Sequence, residues 1–327
     1  MNKPGIPAPA FVKRIGDVVD RRRGVEFQEL KARTMINRLT GAAMPFGWTV
    51  NPFRGCEFGC RYCYARPTHE YLGHCEPEEF EERIYVKRTD AASLRADLMR
   101  ARESGQEVAI GAATDPYQPA EARFQVTRTV LEAMARVPGL RVGITTKSTG
   151  ITRDLELLQE IARASELHVN FSVVSLDADL LRLLEPRAPR PDLRLAAMRA
   201  LSGAGIRCRL FVMPVLPLIN DGEAGLRPLL AAGRASGATE AICQALFLRT
   251  PMTWSFFLRF VEEEFPWAVS RYRALYPRPG SAPPDYREAI ERRVQALARD
   301  VGFPARSRDE RVKDEAPPRP RQLSLVW

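Results

Sequence analysis

The chain has 327 residues, with 49 basic and 40 acidic side chains and a formal net charge of +9. A hydrophobic content of 45% excludes a wholly disordered protein, and there is no run of about 18 apolar residues to predict a membrane span. Six cysteines are too few for a disulfide scaffold, and the first residues lack the apolar core of a secretion signal. We therefore expect a cytoplasmic protein.

Residues 1–45 predict a basic N-terminal arm. Residues 1–54 hold ten basic and four acidic side chains, so two thirds of the net charge lies in one sixth of the chain. Such an arm fits the phosphate backbone of a nucleic acid. The alternative is a charged surface that keeps the protein in solution, and charge alone does not decide between the two.

Short β-rich runs alternate with amphipathic helical runs between residues 46 and 265. Brief apolar runs are typical of parallel strands that are covered on both faces. Six such units predict an α/β fold, either a partial (β/α)6 barrel of the TIM type or an open doubly wound sheet, and both bind ligands at the carboxyl ends of the strands. The predicted strands are residues 48–51, 108–112, 142–146, 167–172, 207–213 and 240–246, and the predicted helices lie near 93–104, 124–136, 152–162, 191–204 and 222–235.

After residue 265 the alternation weakens. One more helix is predicted at residues 285–301, so residues 266–303 form a helical extension, and the charged, proline-rich residues 304–327 predict a disordered tail. The chain ends in QLSLVW, from Gln322 to Trp327. This end resembles the peptides by which bacterial repair and replication proteins bind the sliding clamp, and a merely apolar chain end is the alternative.

The clearest chemical signal is a loop with three cysteines directly after the first barrel strand. They are Cys56, Cys60 and Cys63. Three thiolates can hold three irons of a [4Fe–4S] cluster and leave the fourth iron open to a non-protein ligand. The alternative is zinc with a fourth ligand from Cys75, His69 or His74, but structural zinc usually uses two separated pairs of ligands.

The spacing Cys-x3-Cys-x-aromatic-Cys, with Tyr62 at the aromatic position, resembles the radical S-adenosylmethionine (SAM) superfamily. The resemblance covers roughly residues 45–250 and implies a partial barrel with a [4Fe–4S] cluster and SAM as cofactors. In this superfamily one electron from the cluster cleaves SAM to methionine and a 5′-deoxyadenosyl radical, which abstracts a hydrogen from the substrate. A protein of the ferredoxin or flavodoxin class would then be the electron donor.

Polar residues at three further strand ends are suited to bind SAM. Thr114 and Asp115 offer oxygens to its ammonium, and Lys147, the only lysine between Lys87 and Lys313, offers a charge-assisted contact to its carboxylate. After the fourth strand, Ser172 or Ser175 offers a hydroxyl to the ribose or the carboxylate, and Asn170 is a second candidate. The alternatives are an ordinary turn, a surface lysine and a polar strand residue.

Thr-Asp after the second strand, lysine after the third and serine before a Glu-Pro loop together resemble the spore photoproduct lyase-like branch, which repairs a thymine dimer in DNA. The resemblance implies that Tyr62, Thr114, Asp115, Lys147 and Ser172 lie at the SAM site. It implies a lyase-like DNA repair reaction on a nucleic acid base. The alternatives are a radical SAM enzyme acting on protein or a small metabolite, and a non-enzymatic zinc protein that binds nucleic acid.

One position differs from the branch. Its photolyases place a hydrogen-donating cysteine two residues before the position that matches Thr114, and this chain has Ala112 there. Beyond the fourth strand, Arg187 and Arg190 lie in a loop on the same face, where they meet either an anionic substrate or solvent.

Overall fold

The computed structural model describes residues 12–22, 24–39 and 44–304. Its strands are β1 (Val12–Arg22), β2 (Val25–Ala32), β3 (Ile36–Arg38), β4 (Trp48–Val50), β5 (Phe53–Arg54), β6 (Arg83–Arg88), β7 (Val108–Ile110), β8 (Arg141–Thr146), β9 (Glu166–Ser172), β10 (Arg207–Val215), β11 (Ala238–Ala245), β12 (Phe247–Leu248) and β13 (Gly280–Ser281). Its α-helices are α1 (Glu79–Glu82), α2 (Ala91–Ser104), α3 (Glu121–Phe124), α4 (Val126–Ala135), α5 (Leu155–Ala164), α6 (Ala178–Leu184), α7 (Pro191–Gly203), α8 (Glu223–Ala235), α9 (Pro251–Glu264), α10 (Val269–Leu275) and α11 (Pro284–Asp300).

Seven strands form the main sheet in the order β11-β10-β9-β8-β7-β4-β3. The neighbouring strands β11, β10, β9, β8, β7 and β4 pair in parallel, while β3 is an antiparallel edge strand. All six lie where strands were predicted, and the five predicted helices coincide with α2, α4, α5, α7 and α8. The prediction of a partial (β/α)6 barrel is confirmed.

The two faces of the parallel strands differ in character. Val169 and Phe171 of β9 are fully buried in the core against the helices. Because side chains alternate along a strand, His168, Asn170 and Ser172 lie on the opposite face, which lines the interior of the barrel. All three are buried polar groups, so the interior of the barrel is polar towards the carboxyl ends of the strands.

A second sheet, with the order β1-β2-β6-β5, lies beside the barrel. β1 and β2 form an antiparallel hairpin whose turn contains Gly24 at a φ of 79°. β2 then pairs in parallel with β6, which aligns Glu26 with Arg83. Val25 and Phe27 are buried in the core of the barrel. Within the described residues, the stretch predicted to be an arm is therefore a folded hairpin.

The helical extension that was predicted after residue 265 contains α10 and α11. Ile290, Val294 and Leu297 of α11 belong to the same hydrophobic core as the barrel strands, so this helix completes the fold rather than standing apart. The predicted clamp-binding end, Gln322 to Trp327, lies outside the described residues, and the domain boundaries stay predictions. In the described part of the chain, no helix is long and apolar enough to cross a membrane.

Candidate active site at the carboxyl ends of the strands

The three-cysteine loop begins directly after β5 with a glycine that the geometry requires. Gly55 has a φ of 84°, and a Cβ atom there would lie 2.7 Å from the carbonyl oxygens of both Phe80 and Arg83. No other residue fits this close approach without moving the backbone. The next amide, that of Cys56, donates a hydrogen bond of 3.0 Å to Phe80 O, which fixes the loop against α1, just before β6.

Side chains from the segment after β7 hold the same loop from the other side. Thr114 Oγ1 donates to Gly55 O at 2.6 Å, and Gln118 Nε2 donates to both Gly55 O (3.2 Å) and Thr114 Oγ1 (3.0 Å). Gln118 Oε1 accepts from the Glu57 amide at 2.9 Å. Thr114, which was predicted to bind SAM, thus uses its hydroxyl proton to brace the cysteine loop.

Arg66 braces the end of the loop from beneath and was not predicted. Its side chain is completely buried, with Nη2 donating to Cys60 O at 2.9 Å and Nη1 to Pro77 O at 2.6 Å. Nη1 also lies 2.5 Å from a carboxylate oxygen of Glu81. Because this charge is paired with a carboxylate and two carbonyls, it stabilises the loop without leaving an isolated buried cation.

The three cysteine thiols fit a [4Fe–4S] cluster. Burial raises the pKa of all three thiols, that of Cys60 to about 12, and they lie close enough for one thiolate to raise the pKa of the next. Backbone amides donate hydrogen bonds to two of the sulfurs, which lowers the pKa of those thiols. Without a metal the thiols stay protonated, whereas a cluster takes thiolates as ligands and receives such hydrogen bonds at its sulfurs.

The residues proposed as the fourth zinc ligand are engaged elsewhere or point to solvent. His69 Nε2 lies 2.8 Å from Arg83 O, His74 Nδ1 lies 3.0 Å from Glu79, and Cys75 is exposed. Among the residues that the structure describes, no three His, Cys, Asp or Glu side chains converge to hold a single metal ion. A zinc ion needs this convergence on one atom, whereas a cluster distributes three cysteines over three irons.

Lys147 lies at the end of β8 and faces the cysteine loop. Its Nζ donates to Ser172 Oγ at 3.0 Å and lies 3.9 Å from Glu185 Oε1. The ammonium is also 5.6 Å from the centre of the Tyr62 ring, within the range of a cation–π contact. Three residues predicted for the SAM site, Lys147, Ser172 and Tyr62, are thus brought together in one cluster.

The centre of this cluster is Glu185, which no prediction included as a site residue. Its carboxylate accepts a hydrogen bond from the Tyr62 hydroxyl and pairs with the Arg194 guanidinium. Arg194 also donates to Ser172 O at 3.0 Å and to Pro189 O at 2.6 Å. The side chains of Glu185 and Arg194 are almost entirely buried. The Glu-Pro segment was visible in the sequence, but nothing marked Arg194 among 43 arginines.

Glu185, Arg194 and Lys147 shift one another's ionisation in this cluster. Burial opposes ionisation of Glu185, but Arg194 and Lys147 hold the pKa of its carboxyl below the usual value. Burial likewise lowers the pKa of Lys147, but Cys60 and Glu185 outweigh it and raise that pKa above the ordinary value. At neutral pH Lys147 therefore carries its charge beside the carboxylates of Glu185 and Asp115, and its ammonium suits an anionic group of a ligand.

Asp115 joins the ends of β7 and β8. Its Oδ1 accepts from Thr146 Oγ1 (2.7 Å) and the Tyr117 amide (2.9 Å), and its Oδ2 accepts from the Lys147 amide (2.7 Å). A carboxylate offers about four acceptor positions, so one position on Oδ2 remains for a further donor. The contact of Asp115 with the SAM ammonium stays a prediction.

Tyr64 follows the third cysteine directly and was not singled out in the sequence. Its hydroxyl donates to the carbonyl oxygen of Ala112, and the side chain is 47% exposed. Ala112 is the position at which the resembling branch has a cysteine. Burial of the hydroxyl, together with the neighbouring Cys63, raises the pKa of Tyr64. Tyr64 therefore contacts the backbone of this position directly.

Comparisons with known proteins agree with this geometry. The model of the radical SAM superfamily matches residues 50–225. An uncharacterized protein of Mycobacterium tuberculosis is 40% identical over 275 residues, covering 84% of this chain and 80% of that protein. An uncharacterized protein of Methanocaldococcus jannaschii is 26% identical over 201 residues, covering 61% of this chain and 71% of that protein.

The fold is also similar to solved structures. Spore photoproduct lyase complexed with dinucleoside spore photoproduct gives a TM-score of 0.64 at 16% identity, over 84% of this chain and 79% of that chain. A mutant of that lyase with bound AdoMet and dinucleoside spore photoproduct gives a TM-score of 0.62 at 15% identity, over 83% and 78%. At these identities the likeness establishes the fold.

A partial barrel with three cysteines after its first strand, matched by the radical SAM model, defines an enzyme of the iron–sulfur, SAM-dependent class. The chain belongs to the radical SAM superfamily. Its cofactors are a [4Fe–4S] cluster and SAM.

Proposed function

We propose that this enzyme cleaves SAM at the mouth of the barrel and directs the resulting radical at a base of a nucleic acid. The observation that carries the SAM site is the buried cluster in which Lys147 and Arg194 face the single carboxylate of Glu185, next to the cysteine loop. The Lys147 ammonium of this cluster complements the carboxylate of SAM.

The residues divide the work as follows. Cys56, Cys60 and Cys63 would hold a [4Fe–4S] cluster, which would supply the electron that splits SAM. Lys147 binds the SAM carboxylate with its ammonium, which Ser172 Oγ already orients at 3.0 Å. The open position on Asp115 Oδ2 accepts from the SAM ammonium. Tyr62, fixed through its hydroxyl by a buried carboxylate, covers the site and keeps water out.

Two observations support a nucleic acid as the substrate. The formal net charge of +9 favours a polyanionic partner. The same fold is found in spore photoproduct lyase, which binds a dinucleoside photoproduct. A lyase-like reaction in DNA repair is the form that we propose.

An electron donor of the ferredoxin or flavodoxin class completes the reaction, because superfamily enzymes need a reductant. A further proposed partner is a sliding clamp, which would bind the segment from Gln322 to Trp327.

The proposal is tested by anaerobic incubation of the reconstituted enzyme with SAM and dithionite. We expect 5′-deoxyadenosine to form. With single-stranded oligonucleotides deuterated on their bases, irradiated or not, we expect deuterium in the 5′-deoxyadenosine, because the radical takes its hydrogen from the base. Absence of 5′-deoxyadenosine would overturn the SAM site, whereas deuterium transfer only from deuterated peptides would overturn the choice of a nucleic acid.

A further inference from the structure

The hairpin of β1 and β2 lies at the same end of the barrel as the cysteine loop. β2 runs parallel to β6 with Glu26 opposite Arg83, so the turn that precedes Glu26 extends beyond the start of β6. The start of β6 is where the cysteine loop is anchored, since Gly55 packs directly on Arg83 O. The turn of the hairpin therefore belongs to the rim around the active site.

Arginines concentrate on this turn. The side chains of Arg21 and Arg22 are 73% and 74% exposed. Arg21 donates to the Glu26 carboxylate through Nε (3.2 Å) and Nη2 (3.1 Å), and Arg22 lies 3.7 Å from Asp20. These contacts orient the two guanidinium groups, and each group keeps further donors that face solvent. Surface pairs of this kind are weak, so a phosphate can compete for the arginines.

Basic groups continue from the turn across the rim. Asp20 also pairs with Arg123 of α3, which follows the Asp115 segment. α3 begins next to Ala120, whose amide donates to Glu57 of the cysteine loop at 2.6 Å. The exposed Arg187 lies beside the same loop, where its amide donates to Phe58 O at 3.4 Å. Arg187 and Arg123 therefore both belong to segments that contact the cysteine loop at the rim.

We infer that the hairpin turn and these rim arginines bind the phosphodiester backbone of a nucleic acid strand whose base enters the barrel. The inference rests on the proposed function and adds the surface that holds the strand. Exposed arginines along a path suit phosphates, because the planar guanidinium forms bidentate contacts with their oxygens. The strand passes Arg21 and Arg22, then Arg123, crosses the mouth and leaves past Arg187.

The test measures the affinity for a fluorescent single-stranded DNA of random sequence, and for the matching RNA, over a range of salt concentrations. The variant is Arg21→Gln/Arg22→Gln. The matched control is Arg136→Gln/Arg163→Gln, which removes the same charge from exposed residues at the carboxyl ends of α4 and α5, on the opposite side of the barrel. The two strands distinguish DNA from RNA as the source of the phosphodiester.

Each phosphate contact contributes about 0.7 to the slope of log K against log salt for single strands. Loss of two contacts should reduce the magnitude of this slope by about 1.4. The loss of affinity relative to wild type should therefore be about 25-fold larger at 0.1 M salt than at 1 M salt. We expect this in the hairpin variant and not in the control. The melting temperature of the hairpin variant should stay within about 4 °C of wild type, because only surface pairs are lost.

Three outcomes would overturn the inference. Equal weakening in both double variants would mean that only net charge matters. Wild-type affinity in the hairpin variant, together with slower reduction by an acidic ferredoxin, would assign the surface to the electron donor. If the wild-type enzyme forms 5′-deoxyadenosine but binds neither strand, the proposed substrate itself is wrong, which is a different failure from loss of the hairpin contacts alone.

Discussion

Glu185→Gln tests the buried cluster at the active site. The substitution keeps the shape of the side chain but removes the charge between Arg194 and Lys147, whose nitrogens lie on either side of this carboxylate. The Glu185 side chain has no solvent exposure, so water cannot replace the lost counter-charge. Removing one partner of a buried ion pair costs about 3–5 kcal/mol because it leaves an uncompensated charge. At 2–4 °C per kcal/mol for a domain of this size, the melting temperature should fall by roughly 10 °C.

The assay is thermal unfolding followed by circular dichroism on the protein before cluster reconstitution. Glu263→Gln, an exposed glutamate of α9, is the matched control and should melt within about 2 °C of wild type. The double variant Glu185→Leu/Arg194→Met removes both charges and should melt above the single variant. The reasoning would be refuted if Glu185→Gln melted at the wild-type temperature, or if the double variant melted below Glu185→Gln.

The remaining predictions concern the cofactors and the response to acid. Lys147→Met should weaken SAM binding about 10- to 100-fold in equilibrium dialysis without reductant, since a charge-assisted contact is worth about 1.5–3 kcal/mol, and the exposed Lys31→Met should not. Cys60→Ala should abolish the brown colour and the iron content after reconstitution, whereas the exposed Cys75→Ala should retain both. Burial lowers the pKa of His69 from 6.5 to about 4, so the unfolded chain takes up a proton that the folded chain does not, and stability falls as the pH drops from 6.5 to 4. Between pH 6 and pH 5, the free energy of unfolding in urea should fall by about 1 kcal/mol more in wild type than in His69→Gln. Equal losses in the two proteins would contradict this assignment.

The sequence predicted the parts of the molecule whose signals are local. Each barrel strand is a short apolar run, and the three cysteines lie within eight residues, so neither required knowledge of distant contacts. The Glu185 cluster could not be predicted in this way. Tyr62 and Glu185 are 123 residues apart, and the pairing with Arg194 depends on where α7 packs against β9.

The hairpin shows a different limit. β2 buries Val25 and Phe27 on one face, and this alternation is a strand signal. The surrounding arginines instead predicted an arm. A sheet that buries only one face carries charged side chains on the other face, so charge does not distinguish the two. The second sheet also depends on pairing between β2 and β6, which are separated by the entire cysteine loop.

The bracing of the cysteine loop bears on what happens when oxygen destroys the cofactor. Gln118 and Thr114 hold Gly55, and Arg66 holds Cys60, through hydrogen bonds that involve no metal. Small zinc domains, by contrast, unfold when their ion is removed. Here the cysteine loop should keep its conformation after oxidative loss of the cluster and bind a new cluster without refolding. Near-ultraviolet circular dichroism of the oxidised, emptied and reloaded enzyme would reveal whether the aromatic residues around the loop keep their packing throughout.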